Sequence, residues 1–169
     1  MSALARRLGE AFGEVLALLD GPAPALARRP APEAWSALEV AEHVALANHH
    51  LLLLAEKLAR RDGRGDAARP AEPVDLERLA ARGFRWESPA HMRPRAAATA
   101  GEIAATLRLQ RRRCLLLLAG TRRARGGHGL SFSVAGPGAR LDLAGWLTLV
   151  ALHLERHARQ MRRSLAPGS

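Results

Sequence analysis

The sequence predicts an all-α protein, and more specifically a four-helix bundle. Three observations lead to this fold class: Ala, Leu and Arg dominate, aromatic residues make up only 4% of the 169 residues, and four segments carry apolar residues at helical spacing. Residues that favour strands are scarce outside one short stretch. Because a chain of this length buries about 70% of its unfolded surface as one compact domain, we expect residues 1–169 to form a single domain.

Apolar periodicity and a capping signal place the first two helices. Residues 3–19 carry apolar side chains along one helical face, which predicts the first helix. Four prolines then interrupt the pattern before Ser36, whose S-x-x-E spacing to Glu39 is a capping box that satisfies the amides at a helix start. We expect the second helix to begin at this box and to continue to about residue 60.

The third and fourth helices begin at equivalent signals. Thr99 and Glu102 repeat the capping-box spacing, and Asp142 is the predicted N-cap of a last helix that runs to about Ser164. Between them, the stretch LSFSV alternates among glycines, which predicts a small hairpin before the last helix. The third helix should turn five residues inward: Ile103, Leu107, Gln110, Cys114 and Leu117.

Long connections separate the four helices. The three breaks occupy about 16, 37 and 22 residues, and the second contains one further short helical pattern, PVDLERLAARG. Bundles with short loops alternate in direction, whereas long crossovers permit parallel neighbouring helices. We therefore predict an up-up-down-down arrangement with long crossover loops.

Composition and charge exclude several classes of protein. The single cysteine, Cys114, rules out a disulfide framework and a cysteine-rich zinc site, and a core thiol in a reducing, cytoplasmic setting is expected. We recognise no secretory signal, and the leucine runs are too short to span a bilayer, so no membrane partner is expected. The net charge of +10 comes from 25 arginines and 1 lysine, which are dispersed and lack stacking aromatics. A nucleic-acid partner is therefore not favoured.

Two histidines on the last helix raise the question of a metal site. His153 and His157 lie four residues apart and would project from one helical face, together with Trp146 and Val150. Two buried imidazoles need polar partners, which a shared cation would provide; the alternative is a hydrogen-bonded pair without metal. A zincin-type protease site is excluded, because its glutamate directly follows the first histidine and Leu154 stands there.

A third ligand has to come from another helix, and His43 is the best candidate. It lies two turns after the second helix begins, on an apolar face. His50 lies on a similar face but about 10 Å further along the axis, too far to reach the same ion. We interpret His49 and His50 as helix-edge residues. The loop histidines His91 and His128 are assigned ordinary solvent roles, with substrate contact as the alternative.

Two stretches of the sequence resemble a known family. WSALEVAEHVALAN (35–48) and AGWLTLVALHLERHARQM (144–161) are similar to the DinB/YfiT-like superfamily of bacterial metal-binding four-helix bundles. The family pattern is a Trp-Ser helix start, a histidine about a turn and a half later, and a final W…H-x-x-x-H helix that ends in Gln. The stretch SPAHMRPRAAATAGEIAATLRLQRRR also resembles the family's approach to its third helix, so the resemblance covers about residues 35–161.

The resemblance implies a divalent-metal site made by His43, His153 and His157, with further coordination positions open to water. It also implies the up-up-down-down topology. Zinc is the expected metal, with nickel or iron as alternatives, because three imidazoles do not select among them. Gln160 could orient a ligand or the substrate, or bond only to backbone. Arg156 could hold a substrate carboxylate, although a solvated arginine is the commoner case.

Two functions follow from such a site, and a third is kept for comparison. Characterised relatives include transferases and isomerases that use bacillithiol, mycothiol or glutathione, and members assigned as hydrolases. The first hypothesis is a metal-dependent thiol S-transferase, isomerase or hydrolase acting on a small molecule, with a low-molecular-weight thiol as cosubstrate. The alternative is a non-catalytic metal-binding or stress-associated module, and the third is a basic nucleic-acid-binding bundle. The oligomeric state stays open, with a homodimer among the options.

Overall fold

Helices make up most of the secondary structure in the computed structural model, which describes residues 2–61, 75–77, 89–120, 130–131 and 140–166. The helices are α1 (Ala3–Leu19), α2 (Ala23–Ala27), α3 (Ala37–Arg61), α4 (Ala100–Gly120) and α5 (Leu143–Leu165), with a 3-10 turn at Ala90–Met92. Strands β1 (Leu130–Ser131) and β2 (Arg140–Leu141) pair antiparallel just before α5. The predicted all-α class and the predicted strand pairing before the last helix are confirmed.

Three of the long helices begin at the caps that the sequence predicts. Ser36 Oγ accepts from the Glu39 amide at 3.2 Å, and the Glu39 carboxylate accepts in return from the Ser36 amide at 2.9 Å. Thr99 and Glu102 make the same reciprocal pair at 3.3 and 2.8 Å. Asp142 Oδ1 accepts from an amide in the first turn of α5 at 2.7 Å. Each cap contributes about 1 kcal/mol to stability.

The α1 helix runs parallel to α5. Arg7 binds Glu155 through two hydrogen bonds of 2.6 and 2.9 Å, and seven residues further along both helices Glu14 pairs with Arg162 at 2.5 Å. Because the partners advance in the same order along both chains, the two helices point in the same direction.

The α3 helix runs antiparallel to α5. Near the end of α5, Ser164 donates to the carbonyl of Trp35, just before α3, at 3.3 Å. Earlier in α5, His153 lies against Asn48, further along α3, with Nδ1 and Oδ1 separated by 3.3 Å. The order of partners is therefore reversed between these two helices.

The α4 helix follows the direction of α3. Gln110 Nε2 donates to the Ala45 carbonyl at 2.8 Å, and Arg113, one turn on, donates to Glu56, which lies further along α3, at 2.8 Å. In chain order the four long helices are therefore up, down, down and up.

This order corrects the predicted up-up-down-down arrangement. Both α4 and α5 pack against α1 and α3, so α1 and α3 occupy one diagonal of the bundle and α4 and α5 the other. The end of α1 and the start of α3 both lie beside the C-terminal end of α5, as the pairs of Glu14 with Arg162 and of Trp35 with Ser164 show. The first connection therefore crosses one end of the bundle diagonally, and its length does not carry the chain back along a helix.

The core of the bundle is apolar and contains the only cysteine of the sequence. Of the five residues predicted to face inward on α4, four are buried and Leu117 is half-buried. Cys114 is fully buried, and burial raises the pKa of its thiol to about 12, which fits the predicted core role. Trp146 is likewise buried in the core.

Other predictions fall partly outside the described residues. Of the short helix predicted in PVDLERLAARG, Leu76 and Glu77 are helical, and most of the rest lies outside the described part of the chain. The centre of the predicted hairpin, residues 132–139, also lies outside it. Within the described helices, none combines the length and apolar character needed to cross a membrane.

Candidate metal centre

Three histidines from two antiparallel helices meet between α3 and α5. His43 lies in the second turn of α3, and His153 and His157 lie on adjacent turns of α5. A ring nitrogen of each residue lies within 4.8 Å of those of the other two, so that the three form a group that could hold a metal ion. We call this group the histidine triad. The structure brings together the three histidines named from the sequence, and their role as ligands stays a prediction.

The rings of the histidine triad are close and meet edge to face. Ring centroids are 4.5 Å apart for His153 and His157, 4.8 Å for His43 and His157, and 5.4 Å for His43 and His153. The planes cross at 64° to 71°. Trp35 covers His43, with 5.1 Å between the ring centroids. This packing leaves His43 and His157 only 7% and 8% exposed, whereas His153 is half-buried.

A backbone carbonyl fixes the ring of His43. Its Nδ1 lies 2.8 Å from the carbonyl oxygen of Met92, in the 3-10 turn. Because a carbonyl oxygen can only accept, Nδ1 carries the proton, and Nε2 holds the lone pair.

Side-chain amides fix the other two rings in the same tautomer. His153 Nδ1 lies 3.3 Å from Asn48 Oδ1, and His157 Nδ1 lies 2.9 Å from Gln160 Oε1. Both nitrogens donate to these oxygens, so Nε2 is the atom of each ring that can bind a cation. Metal-binding histidines in proteins commonly donate their second ring nitrogen to an oxygen in this way. All three triad members therefore have the outer hydrogen bond that a metal ligand uses.

Burial keeps the histidine triad uncharged at neutral pH. Burial, together with the neighbouring His43 and the positive charge of Arg156, lowers the pKa of His157 to about 3. Burial, followed by the two neighbouring imidazoles, sets the pKa of His153 well below its ordinary value, and burial also lowers that of His43. Neutral imidazole is the form that binds metal. The donor set of three neutral nitrogens therefore fits zinc, nickel or iron in the divalent state.

The two proposed helper residues lie beside the histidine triad on α5. Gln160 Oε1 lies 2.9 Å from His157 Nδ1, which is the contact that the first of its two predicted roles requires. Arg156 is exposed, and its charge reaches all three imidazoles and lowers their pKa. A contact of either residue with substrate stays a prediction.

Sequence reasoning missed the supports of the histidine triad on α3. Asn48 is fully buried, and its only sequence signal is a polar residue on an otherwise apolar helical face. Glu42 is also buried, and its carboxylate accepts from the amides of Arg95 and Ala96 at 3.1 and 2.9 Å. Ala96 adopts a positive φ of 53°, which lets two successive amides face one carboxylate. These bonds hold the segment after Met92 against α3.

The remaining histidines lie outside the histidine triad. His50 is half-buried and His49 is exposed, as expected for residues at a helix edge. His91 is exposed, in keeping with a loop histidine, and its ring centroid lies 4.6 Å from that of His50; its solvent role stays a prediction. His128 lies outside the described residues.

Comparison with known proteins identifies the family. Neither a curated protein nor a solved structure matches the chain. The family model of the DinB superfamily matches residues 6–161, a span that runs from Arg6 in α1 to Met161 in α5 and contains all three histidines of the triad. Because this match covers most of the sequence, the chain belongs to the DinB superfamily.

Proposed function

We propose that the protein is a metal-dependent enzyme that binds one divalent ion, zinc foremost, through the histidine triad. The reaction that we propose is the attack of a low-molecular-weight thiol on a small electrophilic substrate. The observation that carries the proposal is the shared hydrogen-bond pattern, in which each imidazole is neutral and donates through Nδ1 to an oxygen. An ion bound at three neutral imidazoles keeps its full charge and lowers the pKa of a thiol or a water molecule.

The residues around the histidine triad would prepare the site for this chemistry. Trp35 packs on His43 and would exclude water from that side of the triad. The partial exposure of His153 leaves an approach for a small molecule. Arg156, whose charge reaches all three imidazoles, would hold a carboxylate of the thiol or the electrophile through two parallel hydrogen bonds.

A second candidate is a non-catalytic metal-binding module that uses the same residues. The observation in its favour is the deep burial of His43 and His157, at 7% and 8% exposure. Structural zinc sites are closed, whereas catalytic sites keep a position for water or substrate. The exchange of a bound small ligand on the metal-loaded protein therefore separates the two candidates.

Thiol consumption by metal-loaded protein tests the enzymatic proposal. Untagged protein is loaded with zinc, nickel or iron and assayed with bacillithiol, mycothiol and glutathione against a panel of electrophiles. We expect turnover that requires metal, that is lost in His153→Ala and that is retained in His49→Ala, an exposed histidine outside the triad. Stoichiometric metal binding without turnover on any pair would overturn the enzymatic proposal and favour the non-catalytic module.

A further inference from the structure

A second pair of histidines lies near the histidine triad and outside it. His50 of α3 and His91 of the 3-10 turn have ring centroids 4.6 Å apart and planes that cross at 72°. Within the triad, His153 and His157 have centroids 4.5 Å apart and planes at 70°. The pair of His50 and His91 therefore matches the pair of His153 and His157 in ring separation and in the angle between the ring planes.

His49 does not share this arrangement. It precedes His50 directly, and successive residues of an α-helix point about 100° apart. Its ring centroid lies 5.6 Å from that of His50, and its side chain is exposed. His50, in contrast, is half-buried, and burial together with its histidine neighbours lowers the pKa of its ring, which keeps it neutral at pH 7.

We propose that His50 and His91 together bind a second divalent transition-metal ion, distinct from the one held by the triad. Imidazole is a preferred ligand of copper, nickel and zinc in the divalent state. Two imidazoles supply part of a coordination sphere, and water completes the rest, so this site binds more weakly than the triad. His50 lies seven residues after His43 on the same helix, which is about 10 Å along the axis, so the two sites do not share an ion.

The second site joins two segments that the triad also uses. His91 lies in the 3-10 turn that supplies the Met92 carbonyl to His43, and His50 lies on the helix that carries His43. An ion between His50 and His91 therefore ties this turn to α3. The proposal does not depend on the chemistry of the triad.

Equilibrium dialysis of untagged protein against buffered free zinc tests the second site. We expect two zinc ions per chain in the wild-type protein, one bound tightly and one more weakly. The weaker ion should be lost, or bound about tenfold less tightly, which is about 1.4 kcal/mol, in His50→Ala and in His91→Gln. It should be retained in His49→Ala, the matched control. His153→Ala should lose the tight ion and keep the weaker one.

Two results would overturn the proposal. One is a wild-type protein that takes up a single zinc ion over the whole range, because the contact of His50 with His91 would then be ring packing alone. The other is a second ion that persists unchanged in both His50→Ala and His91→Gln, because that ion would lie elsewhere. Circular dichroism of each variant establishes that it is folded. Electron paramagnetic resonance of Cu²⁺ added to a variant in which all three triad histidines are replaced by alanine provides an independent reading, with two coupled nitrogens expected and fewer than two overturning the site.

Discussion

The α5 helix makes two very different polar interfaces, one with α1 and one with α3. Towards α1, opposite charges meet: Arg7 pairs with Glu155 and Arg162 with Glu14. Towards α3, the polar groups are uncharged imidazoles whose protonated nitrogens point outward to oxygen acceptors. At the first interface each of these four charged side chains has a partner of opposite charge. At the second, three neutral imidazoles bring ring nitrogens together that could bind a cation.

The polar groups of the two interfaces can also be compared in what they contribute to stability. The ion pair of Arg7 with Glu155 is about a quarter to a third exposed, and such pairs contribute about 0–1 kcal/mol. The imidazoles of the histidine triad are buried together and repel one another when protonated, so they contribute little stability without an ion. The polar groups of neither interface therefore account for much of the stability of the metal-free bundle.

The largest predicted effect is the loss of metal-linked stability when the histidine triad is altered. His43→Ala, His153→Ala and His157→Ala should each abolish tight metal binding. The lost stabilisation is ~4 kcal/mol when free metal is about a thousandfold above its dissociation constant. His50→Ala should leave it nearly intact. Thermal unfolding with and without a chelator measures the shift, and a shift that disappears in His50→Ala but persists in His43→Ala would refute the triad assignment.

Acid should destabilise the metal-free protein through the histidine triad at the α3–α5 interface. A histidine whose pKa is lowered on folding stays neutral while its unfolded form takes up a proton, so stability is fully present above pH ~6.5. This stability is then lost as the pH falls towards the pKa of the histidine in the folded protein, which for His157 is about 3. Each such histidine contributes a slope of up to about 1.4 kcal/mol per pH unit.

Urea unfolding between these two pH values measures that slope. With chelator present, His157→Ala should show a shallower loss of stability on acidification than the wild-type protein. His49→Ala should follow the wild-type slope, because His49 is exposed. Equal slopes in His157→Ala and wild-type protein would contradict the burial of a neutral imidazole.

The outer hydrogen bonds should have a smaller effect, restricted to metal affinity. Gln160→Leu removes the oxygen that fixes the tautomer of His157 and should weaken metal binding by about 10–100-fold. Arg159→Ala, an exposed change on the same helix, should leave affinity unchanged. Competition with a chromogenic chelator compares the two. An equal affinity in Gln160→Leu and wild-type protein would show that Gln160 does not orient a ligand.

The sequence predicted local structure better than the direction of the helices. Caps are local, so Ser36, Thr99 and Asp142 marked the helix starts to the residue. Direction depends on which end of the bundle a connection crosses. Loop length limits the reach of a connection without specifying its path, and the up-up-down-down prediction was therefore wrong.

The histidine triad was predictable and its supports were not. Its members could be named from the spacing of His153 and His157 and from the family resemblance, because both depend on the identity of the side chains. Met92 contributes a backbone carbonyl, which every residue possesses, so nothing in its side chain reveals the role. Asn48 is recognisable in the sequence only as one polar residue on an apolar helical face. The contact of His50 with His91 was not predictable because it joins segments far apart in sequence.

The smallest predicted effect concerns the interface between α1 and α5 and sharpens the contrast between the two interfaces. Glu155→Gln keeps the size of the side chain but removes the charge that Arg7 meets, so unfolding should require less free energy by at most about 1 kcal/mol. Because Arg7 also pairs with Glu77, part of its charge stays compensated, which reduces the loss further. Metal affinity should not change, since Glu155 lies outside the histidine triad. Parallel urea unfolding and metal competition measure both quantities, and a loss of metal affinity in Glu155→Gln would show that the two faces of α5 are coupled.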